Sequence, residues 1–153
     1  MIIASKFWAT LTGAIIGLSV LFGANCASAQ SAPSKDDQEL LVKTTLLTFN
    51  DANLSGNYSV FMAKASKEFQ SQFTAEKMAA AFESFSKGKL DMSDVVTADY
   101  DSYEKARIDG TALVLVGVFK TDNLEVKYNL RYLQNDGEWK VSSINVDATR
   151  SKH

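Results

Sequence analysis

The sequence has almost none of the residues that build metal sites and disulfides. Its one cysteine is Cys26, and its one histidine is His153 at the end of the chain. Structural zinc sites need clusters of cysteine and histidine, and a disulfide needs two cysteines, so the sequence predicts neither. The acidic residues around Asp91 and Asp94 do not follow the spacing of a calcium loop. The chain also has no glycine-rich phosphate loop and no Gly-x-Ser-x-Gly nucleophile context, so no cofactor or catalytic residue is predicted.

Long runs of positive charge are missing as well. The chain has 16 basic and 18 acidic residues, a formal net charge of −2, and its densest basic cluster is Lys87-Gly88-Lys89. Nucleic acids and anionic membrane surfaces attract proteins through concentrated positive charge. The sequence therefore indicates no nucleic-acid partner.

One long hydrophobic run is present, from Phe7 to Phe22 near the N-terminus. Lys6 precedes it and Ala27-Ser28-Ala29 follows it, in the small-x-small pattern of a signal-peptidase site. The pattern predicts a signal peptide at 1–29 and an exported protein, periplasmic or extracellular. Two alternatives stay open: a lipoprotein with its lipid on Cys26, and an uncleaved anchor, although a spanning helix prefers roughly 20 residues. Membrane contact is predicted only for those two cases.

The rest of the chain predicts one domain at 36–148, after a polar leader at 30–35 and before a C-terminal tail at 149–153. Ser34 can cap a first helix that ends at Asn53–Asn57. Apolar residues at helical spacing predict a second helix from Tyr58 to Phe73 and a third from Ala75 to Lys87. Helices that precede an antiparallel meander are typical of an α+β layer fold.

The strands are predicted between Thr111 and Val146. Thr111–Lys120 is apolar on both faces, whereas Leu124–Gln134 alternates. A three-residue connection, Thr121–Asn123, would pair Lys120 with Leu124 and place the valines of the first strand on the face of Val126, Tyr128 and Leu130. The opposite face would then present Leu113, Leu115 and Phe119, which predicts a weak homodimer through the outer side of the sheet.

Two further features of the sheet are predicted. Asp136-Gly137 favours a type I′ turn that pairs Asn135 with Glu138. After Val141 the alternation changes phase, so either a bulge lies near Ser142-Ser143 or the later apolar residues cross to the other face.

A first long strand is predicted at Val95–Ile108, joined to the next through Asp109-Gly110. Its register has two solutions, which direct different sets of side chains into the concave face. A two-residue turn would direct inward Asp99, Asp101, Tyr103 and Lys105, and a turn longer by one residue would direct inward Tyr100, Ser102, Glu104 and Ala106. The second solution buries less charge and is favoured.

The order of elements resembles the nuclear transport factor 2-like superfamily, also called cystatin-like or ketosteroid-isomerase-like, and in particular its secreted bacterial members. The resemblance covers the chain after the signal peptide. It lies in Thr48-Phe49-Asn50-Asp51-Ala52 and Ser55-Gly56-Asn57-Tyr58, in Phe69, Phe73-Thr74 and Ala79-Ala80-Ala81-Phe82, and in Asp136-Gly137-Glu138-Trp139-Lys140-Val141. The fold it implies is two or three helices packed on a curved antiparallel sheet, a cone-shaped half barrel.

The resemblance also implies a pocket between the helices and the concave face. The ligand-binding candidates are Tyr58 and Phe61 from the helices, with Tyr100, Tyr128 and Tyr132 from the sheet; the alternative is that these aromatics fill an ordinary core. The enzymes of the superfamily commonly use an inward Asp, Tyr or His, but this chain has no tyrosine on its first helix and no histidine except His153.

The leading hypothesis is therefore an exported, non-catalytic domain that binds a small apolar ligand or a partner protein. One alternative is a lyase or isomerase of the ketosteroid-isomerase type, with Asp51 or Asp99 as the inward carboxylate. Another is a periplasmic assembly module of a secretion system, because some components of such machines resemble this fold.

Overall fold

The computed structural model describes residues 31–102 and 104–151. Within them the chain forms five α-helices, one 3-10 helix and five strands, an α+β architecture as predicted. The helices are α1 (Lys35–Ser55), α2 (Ser59–Lys64), α3 (Lys67–Gln72), α4 (Ala75–Ala81) and α5 (Glu83–Gly88), followed by the 3-10 helix Ser93–Val96. The strands are β1 (Asp101–Ser102), β2 (Arg107–Asp109), β3 (Ala112–Lys120), β4 (Leu124–Asn135) and β5 (Glu138–Arg150). The predicted signal peptide falls on residues outside the described part.

The longest helix, α1, has the predicted ends. The hydroxyl of Ser34 accepts a hydrogen bond from the Asp37 backbone N–H at 3.2 Å, which satisfies one of the free donors of the first turn. Gly56 ends the helix in the left-handed conformation, with φ +73°. Between these caps Val42, Leu46 and Phe49 are fully buried, so α1 packs with one continuous stripe against the core.

The second predicted helix is wrong, because it is interrupted at Ala65-Ser66. The Ser66 backbone N–H donates to the Val141 carbonyl of β5 at 2.8 Å and is therefore lost to the helix. The Ser66 hydroxyl instead caps α3 by accepting from the Phe69 N–H at 3.2 Å. Tertiary hydrogen bonding thus divides one amphipathic pattern into α2 and α3.

The third predicted helix is also divided, at Phe82. Its predicted cap is confirmed, since the Thr74 hydroxyl accepts from the Lys77 N–H. The break at Phe82 brings both Phe82 and Phe85 onto Phe49, with ring centroids 4.7 and 5.6 Å away. Packing of three rings in edge-to-face contact outweighs the continuity of a short helix.

The strands form one antiparallel sheet in the order β1-β3-β4-β5, with β2 also pairing with β3. The long strand predicted at Val95–Ile108 is wrong, because that segment contains a 3-10 helix and only the short strands β1 and β2. The favoured inward set is partly confirmed. Ser102 pairs with Gly117, the Tyr100 ring lies 6.2 Å from that of Phe119, and Ala106 packs against the core.

The predicted register between β3 and β4 is wrong by one residue. Lys120 pairs with Glu125, because Thr121 and Leu124 close a tighter turn through a backbone hydrogen bond of 2.9 Å. Leu113, Leu115 and Phe119 therefore face the helices and are at most 1% exposed. The surface predicted to form the dimer is thus part of the core, and the valines of β3 lie on the outer face.

The β4–β5 hairpin follows the prediction. Asp136 and Gly137 have φ +55° and +84°, as a type I′ turn requires, and Asn135 pairs with Glu138. Arg131 pairs with Ser143 and Tyr132 with Val141, so Ser142 is an extra, bulged residue. The bulge keeps the later apolar residues Ile144 and Val146 on the core side. The strand continues to Arg150, so the tail predicted at 149–153 begins two residues too early.

Candidate ligand-binding cleft

A cleft of about 300 Å³ lies between one flank of α1, the helix α2 and the inner face of the β4–β5 hairpin. We call it the α1 cleft. Its lining residues are Leu40, Leu41, Thr44, Thr45 and Thr48 from α1, Phe61 and Lys64 from α2, and Tyr132, Trp139, Lys140 and Val141 from the hairpin.

The deep part of the α1 cleft is apolar and buried. Phe61 and Tyr132 are each 1% exposed and Val141 is 5% exposed, so they form a floor that belongs to the core. Leu40 lies at the rim and is 65% exposed, the most exposed large apolar side chain of the described residues. The indole of Trp139 is partly buried beside the floor. The α1 cleft therefore offers an apolar ligand both a floor and a rim.

The Tyr132 hydroxyl fixes the floor to α1. It donates to the Leu41 carbonyl at 3.2 Å and lies 3.0 Å from the Thr45 hydroxyl oxygen. Burial raises the pKa of Tyr132 well above its usual value, so this hydroxyl stays protonated at neutral pH. Both of its hydrogen-bonding capacities are used within the protein, and it is a structural group of the cleft wall.

The charges at the α1 cleft have one sign. Lys64 and Lys140 line it, and no aspartate or glutamate does. Lys140 forms an ion pair of 2.8 Å with Glu138, whereas the exposed Lys64 forms none within the described residues. A chain with net negative charge thus has a locally positive rim at this cleft.

The five predicted ligand-binding residues are divided between the α1 cleft and the core. Phe61 and Tyr132 line the cleft. Tyr58 is 1% exposed, and its hydroxyl donates to the side-chain carbonyl of Asn53; burial raises its pKa to about 12. Tyr128 is 2% exposed, and its ring lies 5.6 Å from that of Phe119.

Tyr100, the fifth residue, lies on the inner face beside Phe119 and also lines a separate surface cavity with Ser102 and Lys105. Its hydroxyl is buried without a hydrogen bond of normal geometry, and burial raises its pKa. The structure therefore separates Tyr58, Tyr100 and Tyr128 from the α1 cleft.

The two carboxylates considered for catalysis, Asp51 and Asp99, are both exposed, and neither lines the α1 cleft. The buried polar residues of α1 are instead Asn50 and Asn53. The Asn50 amide donates to Asp91 at 3.0 Å and accepts from the Met92 N–H at 2.9 Å. Hydrogen bonds from the Ser93 backbone N–H and from the Asn50 amide to the Asp91 carboxylate lower the pKa of Asp91. Asn50 and Asp91 thus attach a loop to α1, which is a structural role.

Lys43 is a second polar attachment of α1. Its ammonium donates to the carbonyls of Val96 and Ala98 at 3.1 and 2.9 Å and pairs with Glu39 at 2.7 Å. These contacts hold the segment before β1 against the helix. In the described part of the chain, no group of three histidine, cysteine, aspartate or glutamate residues could hold a metal ion. Nor does any helix in residues 31–102 and 104–151 have the length and hydropathy to cross a membrane.

Comparisons with known proteins give no relative: no family model, no curated protein and no solved structure matches this chain. The resemblance to the nuclear transport factor 2-like superfamily therefore stays a prediction.

Most of the α1 cleft was not predicted from the sequence. Leu40, Leu41, Thr44, Thr45 and Thr48 recur at intervals of three and four residues and so share one flank of a helix. This flank carries a weaker apolar signal than the buried stripe beside it. The predicted pairing of Asn135 with Glu138 places Trp139 on the same face as Tyr132, and that pairing was the available signal for the cleft.

Proposed function

We propose that this protein is an exported, non-catalytic domain that binds a small amphipathic ligand in the α1 cleft. The observation that carries the proposal is an apolar, preformed cleft whose charged lining residues are both lysines. In this proposal the α+β scaffold is of the nuclear transport factor 2-like type, and the ligand has an apolar body and an anionic end.

The size of the cleft limits the ligand. A volume of about 300 Å³ is at the lower end of the range in which proteins bind small molecules, roughly 300–1,000 Å³. Burial of apolar surface contributes about 25 cal/mol per Å², so a short alkyl chain or a single aromatic ring on this floor has enough driving force for micromolar to millimolar binding.

The charge of the cleft selects the end group. A carboxylate at the rim would meet Lys64 without displacing an existing partner, because Lys64 has no ion pair in the described structure. A cationic ligand would meet two ammonium groups and no acidic lining residue. The threonine hydroxyls along α1 can donate further hydrogen bonds to an anion.

The enzyme alternative has less support. Proton abstraction requires a base within about 3 Å of the substrate proton and a donor for the developing oxyanion. Asp51 and Asp99 lie outside the α1 cleft, and the Tyr132 hydroxyl is engaged by Leu41 and Thr45. No observation favours the assembly-module alternative over ligand binding.

The test uses octanoate and 1-octanol as probes, with the fluorescence of Trp139 as the readout. The other tryptophan of the chain is Trp8, in the predicted signal peptide, so Trp139 is the single reporter in processed protein. We expect octanoate to change the fluorescence saturably and to bind more tightly than 1-octanol. Lys64→Gln should weaken octanoate binding about two- to fivefold and leave 1-octanol unaffected, the size of an exposed charge pair.

A second test compares two exposed leucines of α1, one at the cleft rim and one away from the cleft as the matched control. Leu40→Asp places a carboxylate at the cleft rim and should weaken octanoate binding about tenfold, because it removes apolar contact and adds repulsion. Leu54, which is 49% exposed and does not line the cleft, should tolerate the same change without effect. Absence of saturable binding, or equal loss in both variants, would count against the proposal.

A further inference from the structure

The two edges of the sheet are built differently. On one side β3 is bordered by β1 and β2, which have two and three residues and are separated from each other. Short, interrupted strands are a common protection against pairing with another chain. On the other side the sheet ends at β5, a strand of 13 residues with no strand beyond it in the described structure.

The outer edge of β5 has open backbone groups. Asn135 and Glu138 form the hydrogen-bonded pair that closes the turn, and every second residue of β4 counted from Asn135 points its backbone N–H and C=O groups toward β5. The partners of Asn145 and Asp147 are among these residues, so the backbone groups of Asn145 and Asp147 point toward β4. The backbone groups of Ile144, Val146 and Ala148 therefore point away from it. An open row of alternating donors and acceptors is a template for another strand.

One contact closes part of this edge. The Ser66 N–H donates to the Val141 carbonyl at 2.8 Å, next to the bulge at Ser142. Past the bulge, no backbone hydrogen bond joins the outward groups of 142–150 to the rest of the described chain. The open segment therefore begins at the bulge and ends at Arg150.

We propose that a second copy of this chain pairs with this segment, antiparallel and centred on Val146. The centre follows from the segment itself, because Ser142 and Arg150 are equally distant from Val146. In this register Val146 faces its own copy and Ile144 faces Ala148, and both pairs use the outward backbone groups. Two five-stranded sheets then become one continuous sheet.

The side chains on both faces are compatible with this pairing. Ile144, Val146 and Ala148 share the core side, so the apolar inner face continues across the junction. On the outer face Asn145 lies opposite Asp147 of the partner subunit, so no two like charges oppose each other. Between the bulge and Thr149, Asp147 is the only charged residue. The open edge can therefore pair with an extended strand of this apolar and polar pattern, and β5 of a second copy is such a strand.

The other end of the described chain does not compete for this edge. Ala32 and Pro33 line a cavity with Tyr100 and Ser102, beside β1 at the opposite edge of the sheet. An apolar groove of about 360 Å³, which includes Ile144 and the 39% exposed Phe73, lies next to the bulge and would receive the end of the partner strand.

The experiment is sedimentation equilibrium of the purified, processed protein and of three variants at the exposed positions 145 and 147. We expect a reversible monomer–dimer equilibrium. Asn145→Asp creates two carboxylate pairs across the junction and should raise the dimer dissociation constant about tenfold. Asn145→Lys should lower it, and the double variant Asn145→Asp with Asp147→Asn, which only exchanges the two side chains, should restore it.

Unchanged circular dichroism and thermal unfolding of the monomeric variants would exclude misfolding as the cause. A wild-type protein that stays monomeric at every concentration overturns the proposal. So does a dimer whose dissociation constant is the same in all three variants. The substitutions lie outside the α1 cleft, so octanoate binding remains an independent measurement.

Discussion

At the scale of single residues, Gly117 determines how closely β1 and β4 approach β3. The Tyr128 hydroxyl and the Asp101 carbonyl of β1 both lie over this glycine, on the side where a side chain would project. A Cβ at this position would overlap both the Tyr128 hydroxyl oxygen and the Asp101 carbonyl oxygen. A glycine within a strand often marks such a close approach.

Gly117→Ala should therefore lower the free energy of unfolding by about 1–3 kcal/mol, because either the tyrosine or the backbone of β1 must move. The matched control is Gly88→Ala, where the nearest atom is the flexible Leu90 side chain at 3.4 Å. We expect the control to change stability by less than about 0.5 kcal/mol. Urea unfolding measures both, and equal effects would show that the overlap is relieved without cost.

At the scale of elements, the bulge in β5 compensates for one extra residue. Val141, Ile144 and Val146 all face the core, and the bulged Ser142 absorbs the phase change between them. Deletion of Ser142 should therefore leave a regular strand with every later side chain on its present face. We expect the variant to fold, with a stability within about 1 kcal/mol of wild type.

Deletion of Asn145 provides the contrast, since it has the same length but inverts the faces of all residues after it. Asp147 would enter the core and Val146 would leave it, so we expect loss of cooperative thermal unfolding. If deletion of Ser142 also unfolds the protein, the bulge stabilises the fold in a way that the extra residue alone does not explain.

The elements also show what the sequence could and could not predict. Caps and turns were predictable, as at Ser34 and Asp136-Gly137, because their signals are local. The β3–β4 register was not, because β3 is apolar on both faces and the length of one turn decided between two self-consistent pairings. The helix breaks at Ser66 and Phe82 depend on distant partners, Val141 and Phe49, which no local pattern identifies.

The site was predictable only in part for a related reason. Aromatic residues indicate burial, and burial does not distinguish a cleft floor from a closed core. Phe61 and Tyr132 reach the α1 cleft, whereas the equally aromatic Tyr58 and Tyr128 do not.

At the scale of the whole molecule, buried tyrosines set the alkaline limit of the fold. Burial raises the pKa of Tyr58 to about 12 and those of Tyr128 and Tyr132 further, whereas unfolded tyrosine ionises near pH 10. The folded state thus holds these protons more tightly than the unfolded state. Their contribution to stability is complete below about pH 10 and is lost as the pH rises through the folded pKa values.

We therefore expect alkaline unfolding to begin above about pH 10, with tyrosinate absorbance and loss of circular dichroism rising together for the buried tyrosines. Ionisation of all the tyrosines near pH 10 in a protein with native circular dichroism would contradict their burial.

The bonds from the Tyr132 hydroxyl to α1 also have a consequence for the order in which the chain folds. They join residues 87 and 91 positions apart in sequence, whereas the hairpins β3–β4 and β4–β5 close through turns of two residues. Closing a loop of that length costs about 4 kcal/mol of chain entropy, which only the docked helix and sheet together can offset. During synthesis the stripe of Val42, Leu46 and Phe49 emerges first and has no sheet to cover it until β4 and β5 have been made. Among the described elements, α1 is thus the one whose apolar face stays exposed longest, so a factor that binds the nascent protein would bind α1.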